Sequence, residues 1–140
     1  MNVCLRFDND RGLGWEISRE RAAEILLQTD KAGLMYAAHY TGDAGDDATA
    51  GAICSCCTDC CYPHLATERL GTGDVWRLRH YVAAIDTDLC TSCGRCSRRC
   101  RFEAITSSHG RPDFDAPLGR GYGLCATGCS ADAIEMRPLA

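Results

Sequence analysis

The segment CTSCGRCSRRC, residues 90–100, decides how the C-terminal part of this chain folds. Its four cysteines follow the spacing C-x2-C-x2-C-x3-C. At this spacing one tight loop brings three thiolates to three irons of a cubane, and the fourth, after a half-turn of helix, points toward a different cluster. Zinc ribbons also contain C-x2-C pairs, but they usually separate the two pairs by more than about ten residues. The segment therefore predicts an iron–sulfur site.

A partial copy of this segment lies 29 residues downstream, where CATGCSADAI (residues 125–134) aligns with CSRRCRFEAI (residues 96–105). Both cysteines of the copy fall on cysteines, and the Ala-Ile pair is repeated as well. The first two ligand positions of the copy fall on Gly119 and Tyr122, neither of which supplies a thiolate. The repeat predicts two similar halves, the second with an incomplete set of cysteines.

These motifs make residues 83–137 resemble the bacterial two-cluster [4Fe–4S] ferredoxins, in which each half gives three cysteines to one cluster and its fourth to the other. The resemblance implies a small α+β unit with two short helices packed on a small antiparallel sheet. It also implies one [4Fe–4S] cluster whose ligands are Cys90, Cys93, Cys96 and Cys129. The second motif is degenerate, since only Cys100 and Cys125 remain for its cluster.

Two interpretations of that remaining pair stay open. In the first, Cys100 and Cys125 are remnants that form a disulfide or stay as free thiols. In the second, a second cluster persists with ligands from elsewhere in the chain. The chain has a source of such ligands in a CxCCxxCC segment, residues 54–61, whose cysteines are Cys54, Cys56, Cys57, Cys60 and Cys61.

Three cysteines of the CxCCxxCC segment, Cys54, Cys57 and Cys60, repeat the C-x2-C-x2-C spacing of the ferredoxin loop. We expect them to hold a second iron–sulfur centre whose fourth ligand is one of Cys4, Cys61, Cys100 and Cys125. If no cysteine completes that set, one iron is open to a substrate. His64 is a further candidate ligand because it lies three residues after Cys61.

Other uses of the CxCCxxCC segment remain open. Four of its cysteines would suit a structural zinc ion. Its adjacent pairs, Cys56-Cys57 and Cys60-Cys61, would suit soft ions such as mercury, arsenic or copper(I). The same thiols would also suit a reversible disulfide.

The chain as a whole resembles a group of ferredoxin-like proteins in which a CxCCxxCC segment precedes the ferredoxin motif. Longer members carry a V-C-L segment, a helix and a G-L-[VM] turn before it. These correspond here to Val3-Cys4-Leu5, a helix over residues 18–32 and Gly33-Leu34-Met35.

The helix over residues 18–32 is also predicted from the residues themselves, because Ser18 is a suitable N-cap and Gly33 a suitable C′ residue. Alternating side chains predict a strand over residues 75–85, with Val82 and Ala84 on its inner face. We therefore expect two domains: a helical, cysteine-rich extension over residues 1–80 and a ferredoxin-like domain over residues 81–140.

The composition of the chain limits the classes of protein to which it can belong. With 12 cysteines among 140 residues, the chain is either a secreted disulfide scaffold or a thiolate-rich metal protein. Residues 1–10 lack the basic and apolar regions of a secretory signal, and no apolar run is long enough for a membrane span, so we expect a cytoplasmic metal protein. The formal net charge of −4 argues against a dedicated nucleic-acid binder.

The sequence thus favours a one-electron carrier that serves a redox partner protein, more than a stand-alone enzyme. A cluster-dependent redox enzyme or enzyme subunit with a substrate-accessible iron–sulfur site is the first alternative. A soft-metal-binding thiol module is the second. The sequence contains no nucleotide loop, hydrolytic triad or flavin motif, so any enzymatic chemistry would depend on the clusters.

Overall fold

The computed structural model describes residues 4–7, 12, 14–41, 49–59, 61–72, 80–108 and 110–139. The chain divides into two compact units, Met1–Cys57 and Thr58–Ala140. No helix within the described ranges is long and apolar enough to cross a membrane.

The first unit is built on a three-stranded antiparallel sheet with the strand order β1-β3-β2. Its elements are β1 (Cys4–Arg6), α1 (Arg19–Lys31), β2 (Met35–Thr41) and β3 (Thr49–Cys56). The central strand, β3, has Cys4 and Ala37 as its register partners at Cys54. The predicted helical extension is therefore only partly right, because the sheet carries as much of this unit as the helix does.

The predicted N-terminal helix is confirmed as α1. The Ser18 hydroxyl accepts a hydrogen bond from the Arg21 backbone N–H at 3.2 Å, which satisfies one of the free N–H groups of the first turn. After the helix, Gly33 has a φ of 71°, a left-handed conformation that glycine adopts without steric cost. The Thr29 and Tyr36 hydroxyls lie 3.2 Å apart and tie the helix to β2.

The second unit contains one longer helix and two β-α-β halves. Its elements are α2 (Tyr62–Leu70), β4 (Tyr81–Ile85), α3 (Arg95–Arg99), β5 (Ile105–Ser108), β6 (Arg111–Phe114), α4 (Leu124–Thr127) and β7 (Ile134–Pro138). Antiparallel pairing joins β4 to β7 and β5 to β6. The first strand of each half thus pairs with the last strand of the other, as the internal repeat requires for two interlocked halves.

Equivalent positions of the two halves behave alike. Ala104 and Ala133, which the repeat aligns, are both buried, and so are the Ile105 and Ile134 side chains that follow them. Leu124 adds a larger buried side chain between the halves. The core of this unit is therefore small, and equivalent residues of the two halves contribute to it.

Two details differ from the sequence predictions. Of the strand predicted over residues 75–85, Tyr81–Ile85 is present as β4 and residues 73–79 lie outside the described ranges. Within β4 the buried residue is Ala83, whereas Val82 and Ala84 are partly exposed, so the predicted inner face was wrong by one residue. The reason is tertiary: Ala83 is the residue of β4 that is buried in the core of the second unit, beside residues of both halves that line the second pocket.

The compact unit that holds the ferredoxin-like block begins at Thr58, so α2 groups with it. Two contacts account for this grouping: the His64 ring packs edge-on against Phe102, and Glu68 forms an ion pair with Arg120. The boundary predicted between residues 80 and 81 would place α2 with the extension instead.

Candidate metal centre

Four cysteines from both halves of the repeat line one pocket of about 460 Å³. They are the four that the resemblance assigns to a single cluster, Cys90, Cys93, Cys96 and Cys129. Apolar side chains of Ile85, Ala133 and Ile134 form part of the pocket wall. Four thiols around one pocket are the donor set that a [4Fe–4S] cluster requires.

Local structure explains how the loop before α3 presents its three cysteines. The Asp86 carboxylate accepts backbone hydrogen bonds from Asp88 at 2.9 Å and Leu89 at 3.3 Å, which turns the chain sharply after β4. At the end of the loop Gly94 has a φ of 67° and begins the helix that carries Cys96. The equivalent Gly123, with a φ of 78°, begins α4 in the second half.

The thiols of this pocket differ in how readily they ionise. The pKa of Cys93 is lowered, first by the backbone N–H of Arg95 and then by the Thr91 hydroxyl. The pKa of Cys96 is raised, chiefly because burial penalises the thiolate. Cys93 is exposed while Cys96 is half-buried, so one edge of the pocket faces solvent at Cys93.

Two of the arginines near this pocket have distinct roles. Arg98 is exposed and donates to the Cys93 carbonyl oxygen at 3.3 Å, beside the open edge. Arg99 points the other way, and its Nε donates to the Leu124 carbonyl oxygen at 2.8 Å, which ties α3 to α4. Arg98 thus adds positive charge at the edge, whereas Arg99 joins the two halves.

A second pocket of about 470 Å³ lies at the equivalent place in the other half. Cys100 and Cys125 are the thiols that line it among the described residues, and Gly119 and Tyr122 occupy the positions of the two missing ligands. The pKa of Cys125 is raised by burial first, and the nearby Cys100 thiol adds to the rise. The second pocket therefore has two thiols, at positions that the repeat aligns with two thiols of the first pocket.

Helix α2 lies against residues that line this second pocket. The rings of Phe102 and Tyr122 stack with centroids 5.7 Å apart, and His64 contacts Phe102 at a centroid distance of 5.4 Å. The predicted ligand His64 is thus engaged in an aromatic contact. Cys61, at the N-terminus of α2, is only 2% exposed.

The remaining cysteines of the CxCCxxCC segment are arranged differently from the ferredoxin loop. Cys54 and Cys56 lie on β3, and Cys57 follows its end. Cys4, isolated in the sequence, is the register partner of Cys54, and their Sγ atoms lie 3.8 Å apart. Cys60 lies outside the described residues, so the proposed set of Cys54, Cys57 and Cys60 stays a prediction. The Cys4–Cys54 pairing depends on sheet register, which no spacing in the sequence reveals.

The zinc alternative at residues 54–61 gains no support. Within the described residues, no three His, Cys, Asp or Glu side chains are grouped as a single metal ion would require. A cluster differs in this respect because it binds each thiolate at a different iron.

Comparison with known proteins gives one family match. The model of the family described as "4Fe-4S binding domain" matches residues 83–106, less than a fifth of the chain. The match includes the loop that carries Cys90, Cys93 and Cys96 and the helix after it. No curated protein matches the chain. Together with the pocket lined by four thiols, the match indicates a [4Fe–4S] cluster and supports an iron–sulfur, ferredoxin-like protein.

Proposed function

We propose that this protein is a cytoplasmic electron carrier that exchanges single electrons with a redox partner protein through a [4Fe–4S] cluster. The observation that carries the proposal is the convergence of Cys90, Cys93, Cys96 and Cys129 on one pocket. Three of these residues come from one loop and the fourth from the other half of the repeat, as in two-cluster ferredoxins.

The residues around the pocket suit this task. A bound [4Fe–4S] cluster supplies reversible one-electron chemistry. The four thiolates hold it, and Ile85, Ala133 and Ile134 keep water from its inner side. The guanidinium groups of Arg95 and Arg98 lie on the neighbouring helix and offset part of the negative charge of the thiolates, which favours the reduced state.

The exposed edge at Cys93 is the proposed point of electron exit. Its thiol is exposed, and the side chains of Arg95 and Arg98 next to it are exposed as well. Positive charge around an exposed redox edge speeds the encounter with a partner of opposite charge. We therefore expect the redox partner to present an acidic surface.

We further infer that the second pocket holds a second iron–sulfur centre anchored by Cys100 and Cys125. Both thiols line this pocket, and the repeat aligns them with Cys129 and Cys96 of the first pocket. Cys61 is the proposed third ligand because α2, which it begins, contacts Phe102 and Arg120 in the pocket wall.

Iron and acid-labile sulfide quantitation on the anaerobically purified protein, with EPR of the reduced form, tests both parts. We expect about eight irons per chain, since each cubane contains four. Cys129→Ser should abolish one EPR signal and Cys100→Ser the other. Cys56→Ser is the matched control, because Cys56 belongs neither to these two ligand sets nor to the C-x2-C-x2-C set of Cys54, Cys57 and Cys60.

The outcomes separate the two parts of the proposal. About four irons, unchanged by Cys100→Ser and Cys61→Ser, would refute the second centre and leave the first. An iron content that Cys129→Ser does not lower would refute the four-cysteine site itself. Reduction of the cluster without any electron delivery to an acidic acceptor protein would refute the carrier role.

A further inference from the structure

Hydrogen-bond donors are gathered at the exposed edge of the first pocket, the one that four cysteines line. The Ser92 backbone N–H donates to Sγ of Cys90 at 3.4 Å. Cys93 accepts two more hydrogen bonds, from the backbone N–H of Arg95 and from the hydroxyl of Thr91. Thr91 thus supplies a side-chain donor to the thiol of this pocket that is open to solvent.

The loop that carries Thr91 has an equivalent in the second half, which indicates what the shape of the loop requires. The internal repeat aligns Thr91 with Arg120 and Ser92 with Gly121, and each of these residues lines the pocket of its own half. Ser92 and Gly121 both have a left-handed backbone, with φ of 57° and 73°. The second loop therefore makes the same turn without a hydroxyl at either position, and we expect the first loop to fold without the Thr91 hydroxyl.

Hydrogen bonds to the sulfurs of an iron–sulfur cluster are one of the factors that set its reduction potential. Reduction adds one electron and forms or breaks no covalent bond, so the negative charge on the cluster and its thiolates grows. Hydrogen bonds become stronger as the acceptor becomes more negative. A donor that is aimed at a ligand thiolate therefore stabilises the reduced state more than the oxidised state, and it raises the reduction potential.

We propose that the Thr91 hydroxyl raises the reduction potential of the cluster in the first pocket through its hydrogen bond to Sγ of Cys93. Thr91 thereby makes the reduced protein a weaker reductant than the same cluster would be without this bond. The inference deepens the proposed function and rests on the cluster of the first pocket. The other two donors, at Ser92 and Arg95, are backbone N–H groups, so Thr91 is the donor of this set that a side-chain replacement removes.

The test is a redox titration of the anaerobically purified protein with dithionite as the reductant, in which EPR follows the signal that Cys129→Ser abolishes. A hydrogen bond to a charged group contributes more than about tenfold to an equilibrium constant, and the two oxidation states differ by part of that. Thr91→Val should therefore lower the ratio of reduced to oxidised cluster at a fixed potential by about three- to tenfold, a shift of about 30–60 mV toward more negative potential. Thr91→Ser keeps the hydroxyl and should stay close to the wild type. Thr87→Val is the matched control, because Thr87 is an exposed threonine just before the same loop and lines neither pocket.

A wild-type potential in Thr91→Val at unchanged iron content would overturn this inference and leave the four-cysteine site standing. An equal decrease in Thr91→Ser would overturn it as well, because the shape of the side chain and not its hydroxyl would then set the potential. An equal decrease in Thr87→Val would point to a general loss of polar surface and would also overturn it. Thr91 is exposed, so Thr91→Ala serves as a second variant without the hydroxyl if Thr91→Val fails to hold iron, and it should show the same decrease. An iron content that Cys129→Ser does not lower would instead refute the site on which the inference rests.

Discussion

Arg99 and Gly128 provide the sharpest test of how the two halves are joined. The internal repeat aligns these two positions, 29 residues apart, and the structure brings them face to face. A Cβ atom added at Gly128 would lie 2.3 Å from Cδ of Arg99 and 2.6 Å from its Nε. Gly128 itself has a φ of −87°, which any residue adopts. The arginine alone therefore explains most of the need for glycine at this position.

The cost of Gly128→Ala follows from what Arg99 would have to give up. Its side chain can swing away, but it then loses the bond from Nε to the Leu124 carbonyl at 2.8 Å and the one from Nη2 to the Thr127 hydroxyl at 3.3 Å. A hydrogen bond from a charged group contributes about 1.5–3 kcal/mol, and the second bond is exposed, so we expect about 2 kcal/mol in total. Arg99→Ala should cost about the same.

The double variant Arg99→Ala/Gly128→Ala tests whether the Arg99 side chain is the reason that position 128 requires glycine. Once Arg99→Ala has removed the obstructing side chain, Gly128→Ala should add almost nothing, because the two single changes remove the same interactions. The remaining close contact, 3.1 Å to the Leu124 carbonyl oxygen, is offset by the lower entropy of alanine in the unfolded chain. The coupling free energy between the two sites is therefore expected to be about 2 kcal/mol.

Loss of the cluster makes unfolding irreversible, so the assay compares rates of cluster loss in urea under anaerobic conditions. A loss of 2 kcal/mol that falls on the unfolding step raises the rate about 30-fold. Arg98→Ala is the control, since its exposed side chain makes one hydrogen bond, at 3.3 Å, to the Cys93 carbonyl. Additive effects of Arg99→Ala and Gly128→Ala, or a Gly128→Ala rate equal to the wild type, would refute the reasoning.

Three further predictions concern the cluster site and its support. Cluster reconstitution in the iron-free protein should become faster from neutral pH to about pH 9, because burial raises the pKa of Cys96 and iron binds its thiolate. The measurement is the initial rate at which the cluster's absorbance appears, and a rate that is the same at every pH would contradict this prediction. The double variant Arg95→Glu/Arg98→Glu should reduce an acidic acceptor protein about tenfold more slowly at low salt, and its rate should rise with salt where the wild-type rate falls. Unchanged iron content is the control. Stopped-flow rates equal to those of the wild type would exclude a docking role for these arginines. Leu124→Ala should destabilise the second unit by about 2–5 kcal/mol, since it empties a buried site between the halves, and an unchanged rate of cluster loss in urea would show that the halves do not depend on it.

The grouping of four cysteines around the first pocket was predictable, because it depends on a local spacing and on the resemblance to two-cluster ferredoxins. A C-x2-C-x2-C loop brings its thiols together over a few residues, so Cys90, Cys93 and Cys96 needed no knowledge of distant contacts. Cys129 was added by the resemblance to two-cluster ferredoxins, and the structure places it in the same pocket. The helix α1 was predictable for a similar reason, since its cap and its stop are encoded within one segment.

The sheet of the first unit was not predictable in the same way. The pairing of β1 with β3 joins residues about fifty positions apart, and nothing near Cys4 indicates its partner. The same holds for α2, whose grouping with the second unit depends on the contacts of His64 and Glu68. Register and docking are decided by long-range packing, so composition and spacing say little about them.

The sequence by itself determined the chemistry of the first pocket, because thiolates at fixed short spacing have few other uses. Only the tertiary structure decided that Cys100 and Cys125 line a second pocket, that Cys4 meets Cys54, and that the Arg99 side chain leaves no room for a Cβ atom at position 128. Each of these depends on two segments far apart in the chain meeting at atomic distance. Such contacts between distant segments depend on how the whole unit packs, and a local pattern of residues does not encode that packing.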